Sequence, residues 1–157
     1  MDTRWYFSWW HCRARFFDGR HLWESNAIIN YLAHGSALLP SDPFLLAKVQ
    51  QWQFFEQYSH EPYIAVARFI AKYLGLPEAK KVEYEAKQAG GHKALAVMES
   101  QLANTPFLVG DSITTADISL YGYTHVAHEG GFDLTGYPAL QAWLLRIEAL
   151  TNYVAMG

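Results

Sequence analysis

The clearest pattern in the sequence is a loop that turns into a nearly all-apolar segment between positions 107 and 127. Thr114 is a good helix N-cap, and the Asp117 carboxylate, three residues later, can accept a hydrogen bond from the amide at the cap. Ile113 and Ile118 are spaced to pack together as a hydrophobic staple. A helix without a polar face is usually buried. The pattern therefore predicts a central helix that begins with a structural capping box, followed by these apolar residues: Ile118, Leu120, Tyr121, Tyr123, Val126 and Ala127.

A long helical pattern begins at Asp42. Asp42 can cap this helix, and Pro43 suits its first position. Pro62 lies well inside the pattern, where proline removes a hydrogen bond and clashes with the preceding turn. We therefore expect a kink or a break at Pro62.

Two more helices follow the same kind of pattern. One covers residues 78–102, and Gly90-Gly91 weaken its middle by about 2 kcal/mol relative to two alanines. Pro138 begins the last helix, which has one apolar face. Together with the central helix, these segments predict an all-α domain of about four or five helices over residues 42–157.

Residues 1–34 show a different pattern, which predicts two strands and a short helix. Asp18-Gly19 offers a tight turn between His11–Phe17 and Arg20–Trp23, so these segments are expected to form a β-hairpin. Ser25 can cap a short helix that follows it. The expected fold is therefore a ββα segment, a linker and the helical domain.

Composition and charge narrow the possible functions. Hydrophobic residues make up 51% of the 157 residues, which is ample for a packed core. The formal charge is -3 and no basic run occurs, so nucleic-acid binding has no electrostatic support. No apolar run approaches the length of a membrane span, and the N-terminus lacks the apolar core of a secretory signal. Cys12 is the only cysteine, which fits a reducing, cytoplasmic setting.

Glu24-Ser25 is the best candidate for a binding site from the residues alone. The pair lies between a predicted strand and a predicted helix. A helix N-terminus with a serine hydroxyl can bind a carboxylate, and Glu24 beside it can meet an amino group. The pair would thus suit the amino-acid end of a ligand. The alternative is an ordinary N-cap serine next to a solvated glutamate.

Other kinds of chemistry have little support in the sequence. His125 and His128 are one helical turn apart, but two neighbouring histidines are too few for a zinc site, so we expect no metal. The sequence has no glycine-rich phosphate loop and no G-x-S-x-G elbow. Cys12 falls in a predicted strand, where nothing would lower its pKa.

Several segments resemble the glutathione S-transferase family. The segment Leu22–Leu32 (LWESNAIINYL) is similar to that family's glutathione-site segment, and Thr114-x-x-Asp117 is similar to its capping box before the central helix. Gly131–Leu134 and the pattern from Tyr137 to Trp143 resemble its C-terminal half. The resemblance covers residue 18 to the C-terminus. It implies a mainly α fold: a family C-terminal helical bundle preceded by a partial, thioredoxin-like ββα remnant.

The resemblance also implies site residues and partners. Ser25 would donate to the carboxylate of the γ-glutamyl end of glutathione, and Glu24 would face its amino group. Glutathione would be a co-substrate, with no other cofactor, and the protein would form a homodimer through two long helices. Trp52 and Phe55 would pack a dimer partner or the chain's own core. A second-substrate pocket for a small hydrophobic electrophile would use Tyr58, His60, Tyr63, Arg68, Tyr121 and His125.

The chain departs from the family before residue 18. The family pattern places a thiolate-stabilising residue and a cis-proline there, but the first proline of this chain is Pro40. Nothing matches the family motif around Tyr6, Ser8 or Cys12, so no residue is assigned the catalytic role. We expect conjugation of the glutathione thiol to small electrophiles, impaired in this chain. The alternative is a non-catalytic helical dimerisation or binding domain with a remnant glutathione site.

Overall fold

Six α-helices and one antiparallel hairpin form the part of the chain that the computed structural model describes, residues 13–15 and 19–155. Two π-helical turns and two 3₁₀ turns join or extend the helices. The strands are β1 (Arg13–Arg15) and β2 (His21–Trp23); the helices are α1 (Ser25–Leu32), α2 (Pro43–Phe55), α3 (Glu61–Arg68), α4 (Lys81–Leu102), α5 (Thr115–Thr124) and α6 (Pro138–Glu148). The predicted mainly α fold class is confirmed; within the described residues, two short strands and a helix precede the bundle. No helix in these residues is long and apolar enough to cross a membrane.

The two strands pair as an antiparallel hairpin, in which Ala14 lies opposite Leu22. Asp18 of the predicted turn and Cys12 lie outside the described residues. Helix α1 follows β2 directly, but the prediction that Ser25 caps it is wrong. Glu24 is the N-cap, with no side-chain cap hydrogen bond, and Ser25 is already the first helical residue.

Helices α2 and α3 form one long, distorted helix. As predicted, the Asp42 side chain accepts a hydrogen bond from the Leu45 amide (2.8 Å), and Pro43 occupies the first turn. The π-helical turn Glu56–His60 separates the two helices just before Pro62. Proline has no amide to donate to the preceding turn and its ring pushes against it, and a wider π-turn relieves that conflict. In place of the expected kink or break at Pro62, the helix is therefore locally widened into a π-turn just before the proline.

The capping box at the start of α5 is confirmed. The Thr114 amide donates to Asp117 Oδ2 (2.9 Å), and the Asp117 amide lies 3.1 Å from the Thr114 carbonyl oxygen. Asp117 is fully buried and has two further donors: the Leu108 amide and the Trp143 indole each donate to Oδ1 at 2.9 Å. The carboxylate therefore joins the preceding loop, the central helix and α6. Burial raises the pKa of Asp117, and these hydrogen bonds lower it.

The paired glycines of α4 are places of close approach. A side-chain carbon at Gly90 would overlap the ring of Tyr63, and one at Gly91 would overlap the ring of Phe132. Both glycines lie inside an uninterrupted helix of 22 residues. The weakening predicted from helix propensity stays a prediction. In the fold, the two glycines are the positions where two aromatic rings pack against α4.

The main core lies between α2, α3, α4, α5 and α6. Its largest fully buried side chains include Trp143, Phe132, Leu95, Met98 and Leu120. Helix α5 supplies Ala116, Leu120 and Tyr121 to this core, which confirms its predicted central position. The staple residue Ile113 packs at the edge of the core, while Ile118 is 39% exposed.

Candidate functional site

The junction between β2 and α1 holds one of the two non-glycine residues at positive φ in the described part of the chain; the other is Leu76 (φ 50°). Glu24 has φ 70° and ψ 120°, so it lies at positive φ and away from the left-handed helical well. Such conformations are costly for residues with a side chain and occur often at functional sites. The Glu24 carbonyl also accepts the first α1 hydrogen bond, from the Ile28 amide (3.0 Å). The conformation is therefore part of the start of α1.

Ser25 lies immediately after this strained residue, in the first turn of α1. Its side chain is exposed. The first amides of a helix have no partner within the helix, and they favour an anion. A carboxylate at this end of α1 could therefore accept hydrogen bonds from these amides and from the Ser25 hydroxyl.

Helix α1 is fixed to the helical bundle by side-chain amides. Asn30 and Gln53 exchange two hydrogen bonds, of 2.8 and 2.9 Å. Asn26 donates to Glu56 Oε2 (3.1 Å) and accepts from the Ser119 hydroxyl (2.6 Å). Burial raises the pKa of Glu56, while hydrogen bonds from its neighbours lower it. The bundle thus sets the orientation of the helix that carries Ser25.

A cavity of about 460 Å³ lies beside Glu24, between α1 and α2. Five residues with side-chain amides contribute to its wall: Asn26, Asn30, Gln50, Gln53 and Gln57. Phe54 and Tyr58 complete it, and both are largely exposed. The cavity is large enough for a small polar ligand, and its groups suit amide, amino and carboxylate groups.

The six residues predicted for a second-substrate pocket do not line one common cavity. Tyr58 lines the cavity next to Glu24, and the Tyr63 ring packs over Gly90. His60 is completely buried and its Nε2 lies 2.9 Å from Thr124 Oγ1. Burial lowers the pKa of His60 to about 3. The role of these residues in binding an electrophile stays a prediction.

Tyr121 and His125 stack on each other at a second place, with ring centroids 4.7 Å apart. The Tyr121 hydroxyl contacts Glu148 Oε1 (3.1 Å) and the Tyr153 hydroxyl (2.7 Å). Burial, followed by these hydrogen bonds, raises the pKa of Tyr121 above its ordinary value. Tyr121 and Tyr153 line an apolar cavity of about 650 Å³, together with Leu38, Ile113, Ile118 and Gly122.

Arg68 lies at a third place, in an ion cluster that sequence reasoning missed. Arg68 Nε donates to Glu129 Oε2, and Lys72 Nζ donates to Glu129 Oε1, both at 2.5 Å. The two cations, Lys72 first, lower the pKa of Glu129 to about 2. Arg68 and Glu129 are 61 positions apart, so no local pattern could have indicated the pair. Arg68 lines a cavity of about 350 Å³ with Ala65, Val66, Ile70, Tyr73 and Leu74.

No group of three or more potential metal ligands occurs in the described part of the chain.

The two residues predicted to pack a dimer partner or the core, Trp52 and Phe55, lie next to each other. Trp52 is 7% exposed and belongs to the chain's own core, where its ring meets the Phe55 ring edge-on with centroids 5.3 Å apart. The two residues also line an open groove of about 420 Å³ with Val97 and Gln101 of α4.

Comparisons with known proteins identify the family. The model of the "Glutathione S-transferase, C-terminal domain" matches residues 51–151. The crystal structure of a glutathione S-transferase from Pseudomonas fluorescens Pf-5 is similar to this chain, with 60% identity and a TM-score of 0.89 over 90% of this chain and 70% of that one. The glutathione S-transferase-like protein gedE of Aspergillus terreus is 29% identical over 147 residues. Elongation factor 1-gamma of Danio rerio is 34% identical over 103 residues, 66% of this chain and 23% of that protein.

The chain belongs to the glutathione S-transferase family, because the family model covers more than half of its residues. The resemblance found in the sequence and the predicted fold class are thus confirmed. The alignment with gedE covers 82% of this chain and 64% of gedE, so the chain spans less than two thirds of that relative's length.

Proposed function

We propose that this chain forms the γ-glutamyl-binding part and a second-substrate part of a glutathione S-transferase, which joins the glutathione thiol to a small electrophile. The observation that carries the proposal is the strained Glu24 at the start of α1. The cost of this conformation, about 1–3 kcal/mol, is expected where a side chain must hold a fixed position for a ligand. The family membership of the chain supports the same reading.

The two residues of the pair would have different roles. The Ser25 hydroxyl and the first amides of α1 would donate to the γ-glutamyl carboxylate of glutathione. The Glu24 carboxylate would accept from the γ-glutamyl amino group, which carries the opposite charge. The amides that fix α1 to the bundle would keep both groups in place.

We expect weak turnover from the 157-residue chain by itself. Glu24 and Ser25 would contact only one end of the peptide, and no described residue is assigned to the thiol. A missing preorganised donor at a developing charge typically costs about 2.7–4 kcal/mol, or roughly a hundred- to thousand-fold in rate. Contacts at one end alone fit a dissociation constant for glutathione near the millimolar range, about -4 kcal/mol.

Calorimetry with glutathione, beside a conjugation assay with a chloronitrobenzene, tests this proposal. The double variant Ser25→Ala with Glu24→Gln should abolish glutathione binding, whereas Ser41→Ala with Glu78→Gln, at exposed positions, should not change it. Unchanged binding in the first double variant would refute the assignment of the pair. Turnover typical of an intact transferase would refute the expectation of weak activity.

The single variant Glu24→Gly separates binding from strain. Glycine adopts positive φ without the steric cost that other residues have. We therefore expect an equal or higher free energy of unfolding together with weaker glutathione binding. A clear loss of stability would show that the Glu24 side chain serves the fold.

The second candidate is a non-catalytic helical domain that binds or dimerises. The similarity to elongation factor 1-gamma favours it, because that relative is named as an elongation factor. The groove beside Trp52 and Val97 is the surface we propose for a homodimer. Sedimentation at several concentrations would test it, with Val97→Asp expected to yield monomers. A dimer that neither binds nor turns over glutathione would favour this candidate. A cytoplasmic location is likewise a proposal, supported by the single cysteine.

A further inference from the structure

We propose that the apolar cavity beside Tyr121 binds a neutral aromatic molecule that carries a hydroxyl or N–H donor. The cavity, of about 650 Å³, lies between α5, the end of α6, the residues that follow α6 and the linker before α2. Its volume is within the range of small-molecule sites. Six aliphatic side chains form most of its wall: Leu38, Ile113, Ile118, Ile147, Leu150 and Val154. Among the described residues, it shares none with the cavity beside Glu24, so the two are separate sites.

The polar part of this wall belongs to a short chain of hydrogen bonds. The Tyr121 hydroxyl donates to Glu148 Oε1 (3.1 Å) and lies 2.7 Å from the Tyr153 hydroxyl. Both tyrosines line the cavity. A carboxylate can only accept, so the single Tyr121 proton is used at Glu148. The proton between the two phenols therefore comes from Tyr153.

The Tyr153 oxygen is the end of this chain at which a ligand can bind. In the described part of the molecule, Tyr121 is the one hydrogen-bonding partner of that hydroxyl. The oxygen keeps an acceptor lone pair, and hydrogen bonds in a chain strengthen one another. A ligand hydroxyl or N–H would extend the chain, whereas a ligand carbonyl or carboxylate would meet a lone pair. The ligand is therefore a donor.

The surroundings of the chain favour a ligand without charge. The Glu148 carboxylate lies just behind the two hydroxyls, and no cation lines the cavity among the described residues. Burial, followed by the bonds to Tyr153 and Glu148, raises the pKa of Tyr121, so its proton stays in place. Thr151 and Asn152 also line the wall, but both are exposed, where water competes for their polar groups.

Calorimetry of the full chain with 2-naphthol, in the absence of glutathione, tests where the ligand binds. Gly122→Leu should weaken binding at least roughly tenfold, because Gly122 lines the cavity and a side chain there would enter open space. Gly136→Leu is the matched control. Gly136 also has open space around it but does not line the cavity, so naphthol affinity should change less than about twofold.

A second probe, 2-acetylnaphthalene, tests the direction of the hydrogen bond, because its polar group can only accept. The wild-type chain should bind 2-naphthol more tightly. Tyr153→Phe should weaken naphthol binding about three- to tenfold, as the loss of one hydrogen bond predicts, and should not weaken binding of 2-acetylnaphthalene. Tyr137→Phe removes a hydroxyl that contacts His92 away from the cavity, so it should change neither affinity.

Equal effects of Gly122→Leu and Gly136→Leu, or of Tyr153→Phe and Tyr137→Phe, would overturn the proposal. Tighter binding of 2-acetylnaphthalene than of 2-naphthol by the wild-type chain would overturn it as well. Circular dichroism verifies the fold of each variant; if Tyr153→Phe does not fold, Gly122→Leu and the wild-type ratio decide the question.

The naphthol site does not rest on the proposed transferase function. Ser25→Ala with Glu24→Gln should leave naphthol binding unchanged, since neither residue lines this cavity. Loss of glutathione binding in that double variant, with naphthol binding kept, would support two independent sites. Loss of naphthol binding in the same folded variant would count against this proposal.

Discussion

Replacement of Asp117 by alanine should be among the most destabilising single changes in this chain. The Asp117 carboxylate is fully buried and accepts from three N–H groups: the amides of Leu108 and Thr114 and the indole of Trp143, all at 2.9 Å. The Thr114 hydroxyl contacts it as well, at 3.1 Å. Alanine would leave these donors buried without an acceptor.

The magnitude follows from the number of orphaned donors. A buried donor that loses its partner costs about 1–3 kcal/mol. Three such donors set an upper range near 9 kcal/mol, but water entering the space of the lost carboxylate would satisfy part of them. We therefore expect a loss of about 3–6 kcal/mol for Asp117→Ala. Since a domain of this size is typically stable by about 5–15 kcal/mol, the variant should be close to unfolding.

Urea unfolding at pH 7, followed by tryptophan fluorescence and circular dichroism, measures this loss. Asp117→Asn keeps the shape and one acceptor oxygen, so it should lose about 1–3 kcal/mol. Asp111→Ala, an exposed aspartate of the same loop, should change stability by less than about 0.5 kcal/mol. If Asp117→Ala were no more damaging than Asp111→Ala, the buried hydrogen bonds described here would not exist in solution.

Three further predictions concern stability. Burial lowers the pKa of His60 to about 3, against an ordinary 6.5 in the unfolded chain. The free energy of unfolding should therefore fall by about 1.4 kcal/mol per pH unit as the pH drops from 6.5 towards 3. Urea titrations at pH 7, 6 and 5 should show this decrease, and His60→Gln should make the free energy of unfolding less dependent on pH. Thermal melting should show Gly91→Ala destabilised by about 1–3 kcal/mol through overlap with an aromatic ring, while Gly122→Ala, with open space around it, gains up to about 1 kcal/mol. A helical fragment beginning at residue 37 should melt cooperatively and at a higher temperature than one beginning at residue 42, because it keeps the Leu38 carbonyl that accepts from an α5 amide (2.9 Å).

Features that depend on residues three or four positions apart were predictable from the sequence. The capping box of Thr114 and Asp117, the Asp42 cap and the start of α6 at Pro138 all formed as expected. Each depends on local geometry that the helix itself fixes. The partners of Asp117 in the loop and in α6 were not predictable, because Trp143 is 26 positions away.

Local preferences failed where tertiary contacts decide the conformation. Serine is a better N-cap than glutamate, yet the chain places Glu24 at the cap and Ser25 inside the helix. Glycine weakens a helix in isolation, yet Gly91 is where the Phe132 ring packs against α4. The Arg68 and Glu129 pair likewise depends on how distant helices meet. In these cases the packing of the bundle outweighs the local conformational preference of the residue.

The strain at Glu24 also bears on how the chain divides into domains. A conformation that costs about 1–3 kcal/mol persists only when surrounding contacts hold it. Five hydrogen bonds join Asn26 and Asn30 of α1 to Gln53, Glu56 and Ser119 of the bundle. At about 0.5–1.5 kcal/mol net for each, together they are large enough to offset most or all of the strain. The predicted boundary between residues 34 and 42 would therefore separate two segments of sequence that depend on each other for the geometry of the proposed glutathione site.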